Sequence, residues 1–409
     1  MSNTLKFGNG NWATKEGSTL AYNDENNNFK PLPFSFERDS SATVVNKDGL
    51  IETVGAGMPR IDYKDNSEGA LLLEPQRTNL ITQSEAFDNS YWTKSGASVT
   101  SGFVSPDGTN NAFKLVENTS NSAHRIFNGS GLSVSGNVSM SVFAKKGGRN
   151  FIRLTNNNIA GAFFDLNNGV VLGVSSGVTA KIEDFSNDWY RCSITQTGVA
   201  NERLIVYLSN NGIDTTYQGD GASGVYIYGA QLEEGSYATS YIPTSGSTVT
   251  RLAGLSDTEN LSHVIGQTEG VIFYDGILVH KSTSTAEDLF ELSIDDGSDD
   301  NAFFINNYNN SLTIILKSGG SNSFFNNSFN PTEGAKYKLA FAYKENDFAL
   351  YINGNQIATG SSGTAPAMNQ ITFGNYFDNR VNFRNSAKIN DFRLYNTRLS
   401  NSELQALTS

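Results

Sequence analysis

Apolar and polar residues alternate with a period of two over short stretches along most of the chain. In "NVSMSVFAKKGG" Val138, Met140, Val142 and Ala144 fall on one face of an extended strand. "AGAFFDLNNG" alternates around Phe164 and Leu166 and then turns at Asn168–Gly169. "RLIVYLSNNG" sets Leu204, Val206 and Leu208 together and ends at Asn211–Gly212. Strands bounded by Asn-Gly turns at this spacing predict antiparallel sandwiches or jelly rolls.

A second series begins near Gly270. "EGVIFYDGILVHK", "DLFELSIDDG", "NAFFINNYNNSLTIILKSGG" and "KYKLAFAYKENDFALYINGNQIATG" read as consecutive strands. In the last, Tyr337, Leu339, Phe341 and Tyr343 share a face, Glu345–Asn346 turns, and Phe348, Leu350 and Ile352 lead to a type I′ signal at Asn353–Gly354. A helical period appears only at the end, in "SNSELQALTS", where Ser400 and Glu403 make a capping box.

Pro243, Ser245, Gly246 and Ser247 interrupt the pattern between the two series, which places a domain junction near residue 250. Residues 1–75 hold few apolar positions for their length and read as extended chain and hairpins, with Pro31, Pro33 and an Asp48–Gly49 turn. Such a segment needs a partner surface. The expectation is an all-β chain: an extended, strand-and-loop N-terminal attachment and oligomerisation region over 1–75, and two consecutive antiparallel β-sandwich domains. A jelly roll spans 76–250 and a second sandwich 251–409.

Charge narrows the partners. A formal net charge of −12 over 409 residues argues against nucleic acid, and no basic run exceeds Lys145–Lys146. No apolar run approaches the ~18–20 residues that cross a bilayer, so no membrane insertion is expected. "MSNTLKFGNG" lacks the basic and apolar regions of a signal peptide, and no leader is expected. Cys192 is the only cysteine, which excludes an intrachain disulfide, and its alternating setting "YRCSIT" suggests a buried structural thiol.

Several separated blocks, "FERDSSATVVNKDGLIETV", "MPRIDY", "GALLLEPQRTNLITQSEAFDNSYW" and "GAQLEEGSYATSYIPTSGSTVTR", resemble a signature of fibre and tail proteins of tailed bacteriophages. The match spans residues 34–251, and in such proteins the interval between "TNLITQSEAF" and "GAQLEEG" looks like a carbohydrate-binding-type jelly roll. The C-terminal series, with "YKLAFAYKENDFALYINGNQIATG" and "INDFRLYNTRLSNSELQAL", is similar to laminin-G-like or concanavalin-A-like sandwiches. The resemblance implies a virion surface protein, a homotrimer attached to other virion structural proteins through its N-terminal region. It implies lectin-like modules displayed to a host cell-surface glycan, without catalysis. The alternatives are a glycan depolymerase of a phage particle and a purely architectural capsid or tail decoration.

Candidate chemistry is sparse. "GVSSG" at Gly173–Gly177 matches a nucleophile elbow in form, but a strand-like "VTAKIEDF" follows where a helix is required. His124, His263 and His280 have no partners in sequence that suggest a triad or metal pair. No resident cofactor is expected, apart from a candidate Ca²⁺ site at Asp295, Asp296 and Asp299 in the acidic turn "IDDGSDDN"; a solvated turn is the competing reading. For glycan, the loop Tyr376, Phe377, Asp378 and Asn379 mixes rings with hydrogen-bonding groups, as sugar sites require; the same loop could pack its rings inward. Trp189 falls opposite the Cys192 face, either as an exposed stacking platform or as a core or rim residue. Glu291 and Asp295 share a strand face, yet four residues of strand separate them by roughly 13 Å, too far for a glycosidase pair. Glu233 and Glu234 point to opposite faces of one strand and read as the end of a module.

Overall fold

In the computed structural model, which describes residues 5–10, 14–15, 18–20, 33–281, 288–374 and 387–409, the alternating stretches are strands paired antiparallel. Among the described residues the one helix is Asn401–Thr408. Its capping box is formed, with the Ser400 side chain accepting from the Glu403 backbone and the Glu403 carboxylate accepting from the Ser400 N–H. No helix among these residues is long and apolar enough to cross a membrane.

The chain divides by contact into two units. One comprises Val45–Thr53 and Arg77–Arg251. It contains two six-stranded sheets. The first runs, in spatial order, Trp92–Ser95, Arg125–Asn128, Ile205–Ser209, Phe151–Thr155, Gly161–Asp165 and Val170–Val174. The second runs Ala97–Phe103, Ala112–Glu117, Gly224–Glu234, Asn137–Gly147, Trp189–Thr197 and Thr179–Phe185. Val138, Met140, Val142 and Ala144 from the second sheet and Ile152, Leu154, Phe164, Val206 and Leu208 from the first are buried in one core. Burial of each large aliphatic or aromatic side chain contributes roughly 1.5–3 kcal/mol. Cys192 lies in this core, and burial pushes its thiol well above the usual range, which makes it inert.

The other unit comprises Met1–Val44, Val54–Gln76 and Leu252–Ser409. Its core is lined by Ile272, Tyr274, Tyr337, Leu339, Phe341, Tyr343 and Leu350 from one large sheet and by Ile294, Phe303, Ile314 and Phe373 from another. The opposite face of the first sheet, with Val271, Phe273, Ala340 and Ala342, is covered by Leu404 of the terminal helix. Asn353 and Gly354 have φ of 49° and 76°, the left-handed pair a type I′ turn requires.

Two strands of the N-terminal segment join a sheet of the C-terminal unit. Leu5–Gly8 pairs with Ala387–Tyr395, Phe7 opposite Phe392, and Ala70–Leu73 pairs with the same strand. Leu5, Phe7, Leu71 and Leu73 are all buried in the core of the C-terminal unit. The few apolar residues of this segment cannot close a core of their own, but spaced by two they complete one formed elsewhere.

Candidate ligand-binding face

The two glutamates at the end of Gly224–Glu234 have structural duties. Glu233 is fully buried; its carboxylate accepts from the Gln231 Nε2 (2.8 Å) and from the Thr239 N–H and Oγ1 (2.8 and 2.6 Å), with the Arg77 Nε 4.0 Å away. Glu234 is exposed and accepts from the Ser135 N–H at 2.6 Å. Glu233 fastens the loop that leaves the strand, and Glu234 the segment that enters the neighbouring strand Asn137–Gly147.

Trp189 is not an exposed platform. It is buried at 2% with Ala112, Phe143, Tyr228 and Tyr241. It does lie opposite Cys192, but that outward face is covered. Arg191 on the same face sits 5.5 Å from the Phe143 ring centroid and donates to the Thr239 carbonyl at 2.6 Å. The segment following Glu234, carrying Thr239 and Tyr241, forms a second apolar layer there.

The acidic turn does not bring its carboxylates together. Asp295 is fully buried and accepts from the Ser293 hydroxyl, the Gly297 N–H and the Gln370 amide. Burial raises its pKa, against those hydrogen bonds. Asp296 accepts from Ser298 and Asn301, and Asp299 from the Lys317 ammonium at 2.7 Å. Among the described residues no group of three or more His, Cys, Asp or Glu could hold a metal ion. Tyr376, Phe377, Asp378 and Asn379 lie outside the described residues, as does the Glu291 side chain. Gly173–Gly177 passes from strand Val170–Val174, at the edge of the first six-stranded sheet, toward strand Thr179–Phe185, at the edge of the second. It is a connection between sheets rather than a hairpin loop, and a strand follows where an elbow requires a helix.

A surface with binding chemistry lies on the outward face of the first six-stranded sheet. Core residues take every second position on its strands, so the intervening positions project away. Register aligns these into a row: Arg125 opposes Tyr207, Tyr207 opposes Arg153, and Arg153 opposes Phe163. In the adjacent row Phe127 opposes Ile205, which opposes Thr155. Guanidinium groups and rings interleave. Arg125 lies 5.2 Å from the Phe127 centroid and 5.3 Å from that of Tyr207, Arg153 lies 5.1 Å from Phe163, and Arg203 lies 5.4 Å from Phe127. Each such contact is worth about 0.5–1 kcal/mol at an exposed site and more when desolvated. The Arg125 Nη1 donates to the Tyr207 hydroxyl at 2.6 Å, and the Arg153 Nη2 to the Ile159 carbonyl at 2.7 Å. Burial lowers the Arg153 pKa, opposed by Tyr207, so its charge is partly stripped of water.

Phe127, Phe151 and Phe163 remain half-exposed on this face, and Leu172 and Ile213 at its edge are 39% and 74% exposed. No single strand announces this surface. "RIFN", "FIRLT", "GAFFD" and "LIVYLS" each place an Arg or a ring on the non-core parity, but only the register between strands assembles them.

Residues 279–405 match the model of the concanavalin A-like lectin/glucanases superfamily, so the C-terminal sandwich contains a lectin-like domain. No curated protein sequence matches the chain at a significant level. Among solved structures, the CBM40 of the Ruminococcus gnavus IT-sialidase bound to alpha2,3 sialyllactose is 19% identical, with 37% of this chain and 91% of that one covered and a TM-score of 0.30. The binding domain of botulinum neurotoxin serotype D is 13% identical, with coverage of 37% and 39% and a TM-score of 0.31. Similarity at this level assigns no ligand to this chain.

Proposed function

We propose that the chain is a non-enzymatic structural subunit of a bacteriophage particle, a fibre or tail component on the virion surface. In this reading it displays lectin-like domains to host-surface glycan. It assembles as a homotrimer and joins other virion proteins through its N-terminal region. The phage setting is supported by the sequence blocks from residue 34 to 251, and the lectin-like character by the family match over 279–405.

The observation that carries the glycan reading is the row Arg125, Tyr207, Arg153 and Phe163. Sugars present apolar C–H faces that stack on rings and hydroxyls that seek fixed donors, and a sheet face on which Arg125, Arg153 and Phe163 are partly exposed around a buried Tyr207 bears both.

The test is to purify the full chain, measure its mass in solution, probe virions with an antibody against it, and apply it to a glycan array and to host cells. A trimer present in virions that binds host glycan and blocks adsorption is expected. A protein absent from virions and indifferent to host cells and glycans would overturn the proposal.

A further inference from the structure

We infer that the ligand of the Arg125–Tyr207–Arg153–Phe163 face is an acidic glycan, a saccharide bearing carboxylates of the hexuronic-acid type. This rests on the glycan reading of that face and specifies its chemistry.

The reason is a set of arginines without counter-charges. Four arginines elsewhere in the chain meet acids: Arg60 with Glu74 at 2.6 Å, Arg149 with Glu117, Arg393 with Asp391, and Arg398 with Asp347 at 3.0 Å, while the buried Arg191 is held by the Ser141 hydroxyl and the Thr239 carbonyl. Arg125, Arg153 and Arg203 have no ion pair among the described residues, and the Nε of each is buried without an acceptor. Arg203 makes no side-chain hydrogen bond at all, while Arg125 and Arg153 each commit one terminal nitrogen to a neutral oxygen. Arg125 and Arg203 both approach the Phe127 ring, at 5.2 and 5.4 Å from its centroid.

Nearby acids are turned to other work. Asp165, in register with Phe151, accepts from the N–H groups of Asn167 and Asn168 and from the Asn168 amide. Glu202 is fully buried and accepts from the N–H groups of Val199 and Arg203. Like charges gathered in partly desolvated positions are unfavourable until an anion joins them. In a chain of net charge −12, such a cluster is where an anion can approach.

The planar guanidinium fork matches a carboxylate bidentately, which favours the carboxylated sugar. The rings between the arginines, and the apolar Leu172 at the edge, add the contact that a C–H face of the same sugar uses.

The experiment measures binding of the full chain to a panel of acidic saccharides: oligogalacturonate, alginate oligomers and hyaluronan. Each is paired with its carboxyl-reduced neutral counterpart, and polyglutamate and single-stranded RNA serve as controls. At least one acidic member is expected to bind at least ~10-fold more tightly than its reduced form, with affinity falling as salt rises. Arg153→Gln and, separately, Arg203→Gln are each expected to weaken it by about 10-fold or more. Arg203 makes no side-chain hydrogen bond, so its variant keeps the test open should Arg153→Gln fail to fold.

Equal binding of acidic and reduced forms would overturn the acidic specificity while leaving the glycan reading intact. Binding of polyglutamate or RNA alone, or of nothing in the panel, would overturn both.

Discussion

Arg153 and Tyr207 face each other across an antiparallel ladder, and on the other side of Arg153 the Phe163 ring centroid lies 5.1 Å from its guanidinium carbon. Tyr207 in turn accepts from Arg125 at 2.6 Å, so one ring links two charged side chains. Tyr207→Phe keeps the ring and removes the acceptor. Hydrogen bonds to charged groups contribute about 1.5–3 kcal/mol, and partial exposure of Arg125 places this one at the low end. The expected result is a loss of about 1–2 kcal/mol in urea unfolding, with m unchanged. A larger loss in glycan affinity would separate a role in binding from one in folding.

Glu233 and Glu234 should behave very differently on substitution. Glu233→Ala removes a buried carboxylate that receives three hydrogen bonds and lies 4.0 Å from the Arg77 Nε. Breaking a buried charged network costs about 3–5 kcal/mol, and the variant should unfold at much lower denaturant. Glu234→Ala touches an exposed side chain and should cost no more than about 1 kcal/mol. Comparable effects from the two would contradict the structural account.

Glu117 links acidity to stability. Its carboxylate accepts from the Arg149 Nε at 2.8 Å, from the Tyr217 hydroxyl at 2.6 Å and from the Asp220 N–H at 2.9 Å. Burial raises its pKa, but the hydrogen bonds, led by that of Arg149, outweigh it and hold the group below its ordinary value of 4.5. The folded pKa is depressed, so the contribution is fully present above pH ~4.5 and is lost as pH falls through the folded value. Glu117→Gln should lower stability at pH 7 and flatten the fall of the unfolding midpoint below pH ~4.5. A variant with an unaltered acid limb would refute this linkage.

Much of the fold was legible because parity is local. Val138, Met140, Val142 and Ala144 needed only a period of two to be placed in a core. Asn353–Gly354 and the Ser400–Glu403 box needed only local backbone preferences. Parity also put Trp189 opposite Cys192, but it cannot say whether the outward side meets water. Tyr241, from beyond the end of another strand, decides that. Proximity in sequence does not show what Asp295, Asp296 and Asp299 engage, which is Gln370, Asn301 and Lys317 respectively. The Arg125–Phe163 row was invisible for the opposite reason. Its members sit on four strands, and only long-range register brings them side by side.

Phe7 tests whether the N-terminal segment belongs to the fold of the C-terminal unit. Its ring packs edge-on against Phe373 at 5.2 Å and lies 5.5 Å from Phe392 between centroids, and it is 1% exposed. Truncating a buried phenylalanine costs about 3–5 kcal/mol through lost transfer energy and the cavity left behind. An attachment arm independent of the sandwich would leave its stability untouched. Phe7→Ala is therefore expected to lower the unfolding midpoint of the C-terminal unit and to speed amide hydrogen exchange in Ala387–Tyr395, the strand that pairs with Leu5–Gly8. The middle unit should exchange as before. Unchanged protection of Ala387–Tyr395 would show that the segment's pairing contributes nothing to the sandwich.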